Sequence, residues 1–78
     1  MHYPVVKVQI QRYRVSLWTH QFTSLENAPS YLRKETVAST ETGALRNIMR
    51  QANIEAVYRA KVVTLRTGTC QWLEHISL

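Results

Sequence analysis

One segment of this chain has the periodicity of an amphipathic helix, and the remainder of its 78 residues does not. The apolar residues of this segment recur three and four positions apart and form one stripe. They are Ala44, Leu45, Ile48, Met49 and Ala52. Ser39 or Thr40 is a suitable N-cap, and Glu41 places a negative charge in the first turn. The sequence therefore predicts a single helix that ends near Asn53, a residue that tolerates the left-handed conformation of a helix end.

The segment from Val5 to Thr19 is rich in β-branched and aromatic residues, which favour strands. Between Val5 and Thr19, apolar residues alternate with polar ones, but their parity changes near Gln11 and Arg12. A β-bulge at that point would keep both halves on the same face of one strand. A hairpin is the competing interpretation, and Gln-Arg is poor turn chemistry. We therefore predict one long, bent strand.

Three further segments complete the pattern. Residues 31–38 fit either a short helix that begins near Pro29 or, in their second half, a strand, and we favour the strand. Val57–Thr67 and Cys70–Leu78 are strand-like runs joined by a turn at Gly68, which indicates a hairpin. We predict an α+β fold of two layers, an antiparallel sheet of about four strands covered on one face by a single helix. The predicted order is strand-strand-helix-strand-strand.

Length and composition limit the class of protein. A folded chain of 9.1 kDa buries about 63% of its unfolded surface, which supports one domain over residues 1–78. With 45% hydrophobic and 19% charged residues, the composition is not that of a disordered tail. The chain has one cysteine, no apolar run long enough to span a membrane, and an N-terminus without a signal-peptide pattern. These features favour a cytoplasmic protein.

The alternation also predicts which side chains face away from the helix. We expect the helix to cover Val6, Val8, Ile10, Tyr13, Val15, Leu17, Tyr58, Ala60 and Val62. The opposite parity carries most of the strand cations and one tryptophan, and these are the predicted partner-binding residues: Lys7, Arg12, Arg14, Trp18, Arg59 and Lys61. The same parity includes a possible dimer interface formed by Val57, Val63 and Leu65.

This basic face has three interpretations. Ten Lys and Arg residues against five Glu residues give a net charge of +5, so the face can neutralise phosphates, and its aromatic residues can stack on bases. Its outward apolar residues can instead form a protein interface or a homodimer. The third interpretation is that strand arginines only keep sheet edges soluble and prevent aggregation.

Catalytic and metal chemistry find little support in the residue pattern. Cys70 and His75 lie five residues apart on one predicted strand, so their side chains should face opposite sides, and Cys70 is expected to be a buried small hydrophobe. His2 and His20 do not complete the close spacing of a structural zinc site. Neither a carboxylate pair nor a glycine-rich phosphate loop is present. We therefore expect no enzyme activity, no metal and no cofactor.

The layout resembles that of small phage-encoded anti-CRISPR inhibitors, which combine an N-terminal β segment, a helix and a C-terminal hairpin. The matching stretches are Val5–Tyr13, Thr36–Glu41, and the hairpin Val62–Arg66 with Gly68 and Trp72–Leu73. The segment from Thr19 to Arg33 departs from this layout. The resemblance implies stoichiometric binding to a host nucleoprotein complex in the host cytoplasm, and it transfers no catalytic residues.

The sequence thus leads to one principal hypothesis and two alternatives. The principal hypothesis is a non-enzymatic phage-type protein that inhibits a host defence nucleoprotein through its basic sheet face, with guide RNA, bound DNA or an acidic protein patch as the contact. The alternatives are a basic DNA- or RNA-binding protein that acts by charge and shape, and a structural homodimeric subunit. No membrane partner is expected.

Overall fold

The structure is a computed structural model, and it describes residues 9–20 and 31–78. Its elements are β1 (Gln11–Trp18), β2 (Leu32–Ala38), α1 (Glu41–Gln51), β3 (Ala56–Thr64) and β4 (Cys70–Ser77). The four strands form one antiparallel sheet in the order β2-β1-β3-β4, and α1 packs on one face. The predicted α+β fold with a single helix is confirmed. Across the described ranges, no helix is long and apolar enough to cross a membrane.

Local signals set both ends of α1. The Thr40 hydroxyl accepts a hydrogen bond of 3.0 Å from the Gly43 N–H, which satisfies one of the free donors of the first turn. The helix ends at Gln51, slightly earlier than predicted, and Asn53 has the expected left-handed conformation with φ 57°. The stripe residues Ala44, Leu45, Ile48 and Met49 are fully buried.

The core lies between α1 and one face of the sheet. Along β1 the buried residues are Tyr13, Val15 and Leu17, and the residues between them are more exposed. This strict alternation aims one set of side chains at the helix and the other away from it. Burial of the aliphatic set is the principal source of stability.

β2 covers all but the first residue of the stretch 31–38 that the sequence left ambiguous. Its pairing with β1 runs without interruption from Gln11↔Ala38 to Leu17↔Leu32. The predicted strand in the second half of residues 31–38 is therefore confirmed, and the alternative short helix is wrong. Pairing with a buried neighbouring strand decides the conformation where local preferences are balanced.

The prediction of one long strand with a bulge at Gln11 and Arg12 is wrong in the described residues, because Gln9 and Ile10 are not part of a strand. β1 begins at Gln11, and its register with β2 shows no extra residue at Gln11 or Arg12. Ile10, which we expected under the helix, is 62% exposed because it precedes the paired strand. Val6 and Val8 lie outside the described residues.

The parity of the residues that point into the core does change, but this happens in the hairpin of β3 and β4. We call this the change of face. Val57 and Ala60 are both in the core, at 2% and 0% exposure, although their parity differs. Opposite them, Ile76 and Leu73 both pack against the same core. The register is identical on the two sides of this point, so no residue is inserted and both strands turn together. His75, with φ 53°, supplies the turn of the backbone.

This change of face corrects two sequence expectations. Val57 does not point away from the helix, because the strand rotates after it and directs its side chain into the core. Tyr58 does not lie under the helix but is half-buried beside the distortion, where its ring meets the His75 ring edge-on with centroids 5.2 Å apart.

Candidate functional site

The side of the sheet away from α1 carries a mixture of cations, aromatic rings and short apolar groups. We call it the outer face and define it by strand parity and pairing. Its residues are Arg12, Arg14, Ser16 and Trp18 on β1, Arg33, Glu35 and Val37 on β2, Arg59, Lys61 and Val63 on β3, and Cys70, Trp72 and Glu74 on β4. Five cations thus share this face with two carboxylates.

Cross-strand pairing arranges the outer face in transverse rows. In one row Ser16 lies between Arg33 and Lys61, and Lys61 is followed by Trp72. The adjacent row places Arg59 opposite Trp18 on one side and Glu74 on the other. Paired residues direct their side chains to the same face, so each row is a continuous line of neighbours.

Two tryptophans meet over β3 and form the centre of a cluster with two cations. The Trp18 and Trp72 rings stack with centroids 5.8 Å apart and an angle of 29° between their planes. The Arg59 guanidinium carbon lies 4.2 Å from the Trp72 ring centroid, and the Lys61 ammonium nitrogen lies 5.8 Å from it. Both distances lie within the range of cation–π attraction. We call these four residues the tryptophan cluster.

Two of the five outer-face cations form exposed ion pairs, and these pairs do not cancel the positive charge of the outer face. Arg14 Nη2 lies 3.4 Å from Glu35 Oε2, and Arg59 Nε lies 3.9 Å from Glu74 Oε1. Exposed pairs of this kind contribute little to stability, and water or a ligand can replace either partner. The five cations and two carboxylates leave a net charge of +3 on the outer face.

A concave region of about 440 Å³ lies at the β2 side of the outer face. Its lining residues are Arg14, Arg33, Lys34 and Glu35. Arg14 and Arg33 are outer-face cations, and Lys34, which has the opposite parity, lines the region from the edge strand β2. These three cations exceed the single carboxylate of Glu35, which makes the region suitable for an oxygen anion such as a phosphate. We call it the β2 pocket.

The structure brings together most of the residues that the alternation selected. Arg12, Arg14, Trp18, Arg59 and Lys61 all lie on the outer face. Lys7, the sixth predicted residue, lies outside the described residues. Whether these residues bind a partner stays a prediction.

The predicted dimer interface is reduced by one residue. Val57 is buried in the core and cannot contact a second copy from the outer face. Val63 is half-buried on the outer face, and Leu65 is half-buried just beyond the end of β3. Dimerisation therefore stays a prediction that depends on Val63 and Leu65.

Sequence reasoning missed Trp72 and Arg33. Trp72 shares a parity with Ile76, which suggested a common face, but the change of face at His75 separates them. The predicted hairpin was the available signal for Trp72, but its pairing is centred between Arg66 and Thr67 rather than at Gly68, and this centre places Trp72 opposite Lys61. Arg33 has no such signal, since its register depends on a long connection between β1 and β2.

Cys70 and His75, the two candidate reactive side chains of β4, have different surroundings. Cys70 is exposed, contrary to the expectation of a buried residue, because it lies on the outer face of an edge strand. His75 contacts the Tyr58 ring. Within residues 9–20 and 31–78, no three His, Cys, Asp or Glu side chains are close enough together to hold a metal ion.

Searches against protein-family models, curated proteins and solved structures found no match to this chain. Function is therefore inferred from the geometry of the outer face.

Proposed function

We propose that the protein is a non-enzymatic binding protein whose outer face contacts nucleic acid through charge and shape. The observation that carries this proposal is the concentration of five cations, against two carboxylates, on the one sheet face that α1 leaves uncovered. Four of the five cations are arginines, whose planar guanidinium groups bind phosphate in a bidentate manner.

Charge neutralisation explains how such a face would bind without a groove-reading element. Each cation that contacts a phosphate releases condensed counterions, and this release drives association at low salt. If all five cations contact phosphates, the logarithm of the binding constant falls with the logarithm of salt with a slope of about −3.5 for a single strand. A duplex gives a slope of about −4.5 for the same contacts.

The test compares charge reversal on the outer face with an equal reversal on the helix. Arg33→Glu with Lys61→Glu removes two cations that form no ion pair within the described ranges. Arg46→Glu with Arg50→Glu is the matched control, because both residues are exposed on α1. Either double variant lowers the net charge from +5 to +1, by 5 − 4. Fluorescence anisotropy with a labelled mixed-sequence oligonucleotide then measures affinity over a salt series.

We expect the outer-face variant to lose most of its affinity and to show a shallower salt slope, while the helix variant retains most of both. Equal losses in the two variants would indicate a general charge effect and would overturn the proposal. An absence of binding by the unmodified protein at low salt would overturn it as well. Circular dichroism on each variant confirms that the fold is intact.

Capture of a nucleoprotein complex is a second candidate, and the apolar groups of the outer face favour it. Val37 is 48% exposed next to Arg12, and Val63 and Cys70 continue the row of Arg14. Protein interfaces combine exposed apolar groups with arginine in this manner. This arrangement suits the inhibitory role that the resemblance to anti-CRISPR proteins implies.

This second candidate requires a different measurement. A purified guide-RNA surveillance complex is titrated with the protein, and binding of its target DNA is followed. Inhibition that saturates at a fixed stoichiometry, and that Val37→Asp abolishes, supports this candidate. Unchanged target binding at a large excess of protein rejects it.

A further inference from the structure

We infer that the outer face selects single-stranded over double-stranded nucleic acid, because the tryptophan cluster stacks on an unpaired base while the β2 pocket binds a phosphate of the same strand. This inference rests on the proposed function and specifies its ligand. Three features carry it: the arrangement of the two indole rings, the shape of the sheet, and the distance between the cluster and the pocket.

The first feature is the position of the indole rings. Trp18 and Trp72 belong to β1 and β4, which are separated by β3 and lie about 9.6 Å apart. Their rings reach across this distance and stack on each other. Trp72 nevertheless remains 45% exposed, so part of its large apolar surface stays in contact with water. A base that stacks on this indole takes the place of the Arg59 guanidinium over the ring and removes the exposed apolar surface from water.

Two cations of the neighbouring strand β3 lie close to the Trp72 indole. Arg59 and Lys61 both lie within cation–π distance of Trp72, and they are adjacent outward residues of β3. Their positive charges lie where the sugar-phosphate backbone of a stacked nucleotide would pass. Aromatic rings that alternate with cations are the recurring arrangement of single-strand binding surfaces.

The second feature is the shape of the sheet. Four strands span about 14 Å between the outer strand axes, whereas the major groove of B-DNA is about 12 Å wide. α1 lies on the opposite side of the sheet and is not available to enter the groove from the outer face. The faces of paired bases are covered by their neighbours in a duplex, so only an unpaired base can stack on Trp72.

The third feature is the position of the β2 pocket. Arg33 and Trp72 lie at opposite ends of one transverse row, three strand spacings or about 14 Å apart. This distance corresponds to about four stacked nucleotides at 3.4 Å each. A strand that crosses the sheet along this row can place a base on Trp72 and a phosphate between Arg14 and Arg33.

The experiment measures affinity for an oligonucleotide of mixed sequence, as a single strand and as its duplex, at one salt concentration. Anisotropy of the labelled nucleic acid reports binding, and quenching of tryptophan fluorescence reports stacking. The variants are Trp72→Ala, which removes the ring, and Trp72→Phe, which retains an aromatic face. Leu78→Ala is the control, since this residue is a large exposed apolar group beyond the end of β4.

We expect the single strand to bind at least about tenfold more tightly than the duplex and to quench the tryptophan fluorescence. Trp72→Ala should lower single-strand affinity by about tenfold, Trp72→Phe should restore most of it, and Leu78→Ala should have no effect.

Two other outcomes separate failure of this inference from failure of the proposed function. Equal binding of single strand and duplex, without quenching and without an effect of Trp72→Ala, overturns the inference and leaves charge-driven binding in place. Absence of binding to either form overturns both. If Trp72→Ala fails to fold, Trp72→Phe and the unmodified protein still provide the quenching and strand comparisons.

Discussion

The two faces of the sheet use the same strands for different purposes. On the α1 side, Tyr13, Val15, Leu17 and Val62 are almost completely buried, and the described residues leave no buried side-chain polar atom without a hydrogen-bond partner. The outer face has the opposite character, because its side chains are partly exposed and its ion pairs are open to water. The comparison indicates that stability depends on the side chains that face α1, whereas the side chains of the outer face remain accessible to solvent.

Removing a core side chain should give the largest contrast between the faces. Ile48→Ala leaves a cavity between α1 and the sheet and should lower the free energy of unfolding by about 2–5 kcal/mol. Arg33→Ala, on the outer face, should change it by less than about 0.5 kcal/mol. Urea denaturation measures both values. A loss of similar size in Arg33→Ala would show that the outer face also carries stability.

The change of face at His75 gives a second, smaller contrast. β-branched residues normally favour strands, but a left-handed backbone costs them about 1–2 kcal/mol. His75→Val should therefore destabilise the protein by about that amount relative to His75→Asn, since Asn tolerates this conformation. Thermal unfolding of the two variants compares them. A more stable Val variant would contradict the left-handed conformation at this position.

The buried Tyr13 on the α1 side of the sheet predicts a dependence of stability on pH that is confined to alkaline solution. Burial, and secondly the Glu41 carboxylate, raise the pKa of the Tyr13 phenol above its ordinary value of 10.0. The folded state thus holds the proton more tightly than the unfolded state. The contribution of the Tyr13 phenol to the free energy of unfolding is fully present below pH 10 and is lost as the pH rises from there through the folded-state pKa.

The measurement is the free energy of unfolding of the unmodified protein and of Tyr13→Phe over a pH series. Their difference should be constant in neutral solution and should change above about pH 10, where only the unmodified protein loses this contribution. Parallel curves throughout would show that Tyr13 ionises with the same pKa in both states.

Sequence reasoning succeeded where a local pattern was sufficient. The stripe of Leu45 and Ile48 identified the helix, and the alternation in β1 assigned Arg12 and Arg14 to the outer face. It failed for Val57, because two strands turned together at a point that no glycine or proline marks. Local periodicity determines which face a residue occupies only while the backbone remains regular.

The candidate site was less predictable than the fold because it depends on register. Arg59 and Lys61 share a strand, and their common face follows from spacing alone. Trp72 joins them only through the hairpin register, and Arg33 joins only through the pairing of β2 with β1. The sequence therefore identified four of the five outer-face cations and omitted Arg33 and one of the two indole rings.

The change of core-facing side that β3 and β4 make together predicts a spacing pattern by which homologues of this chain can be recognised. Val57 and Ala60 lie three positions apart, Leu73 and Ile76 face them at the same interval, and His75 supports the turn. A substitution at one of these positions would change the packing of the residue opposite it, so substitutions should occur together in paired positions. Homologues with little sequence identity to this chain should still have apolar residues at both three-residue intervals.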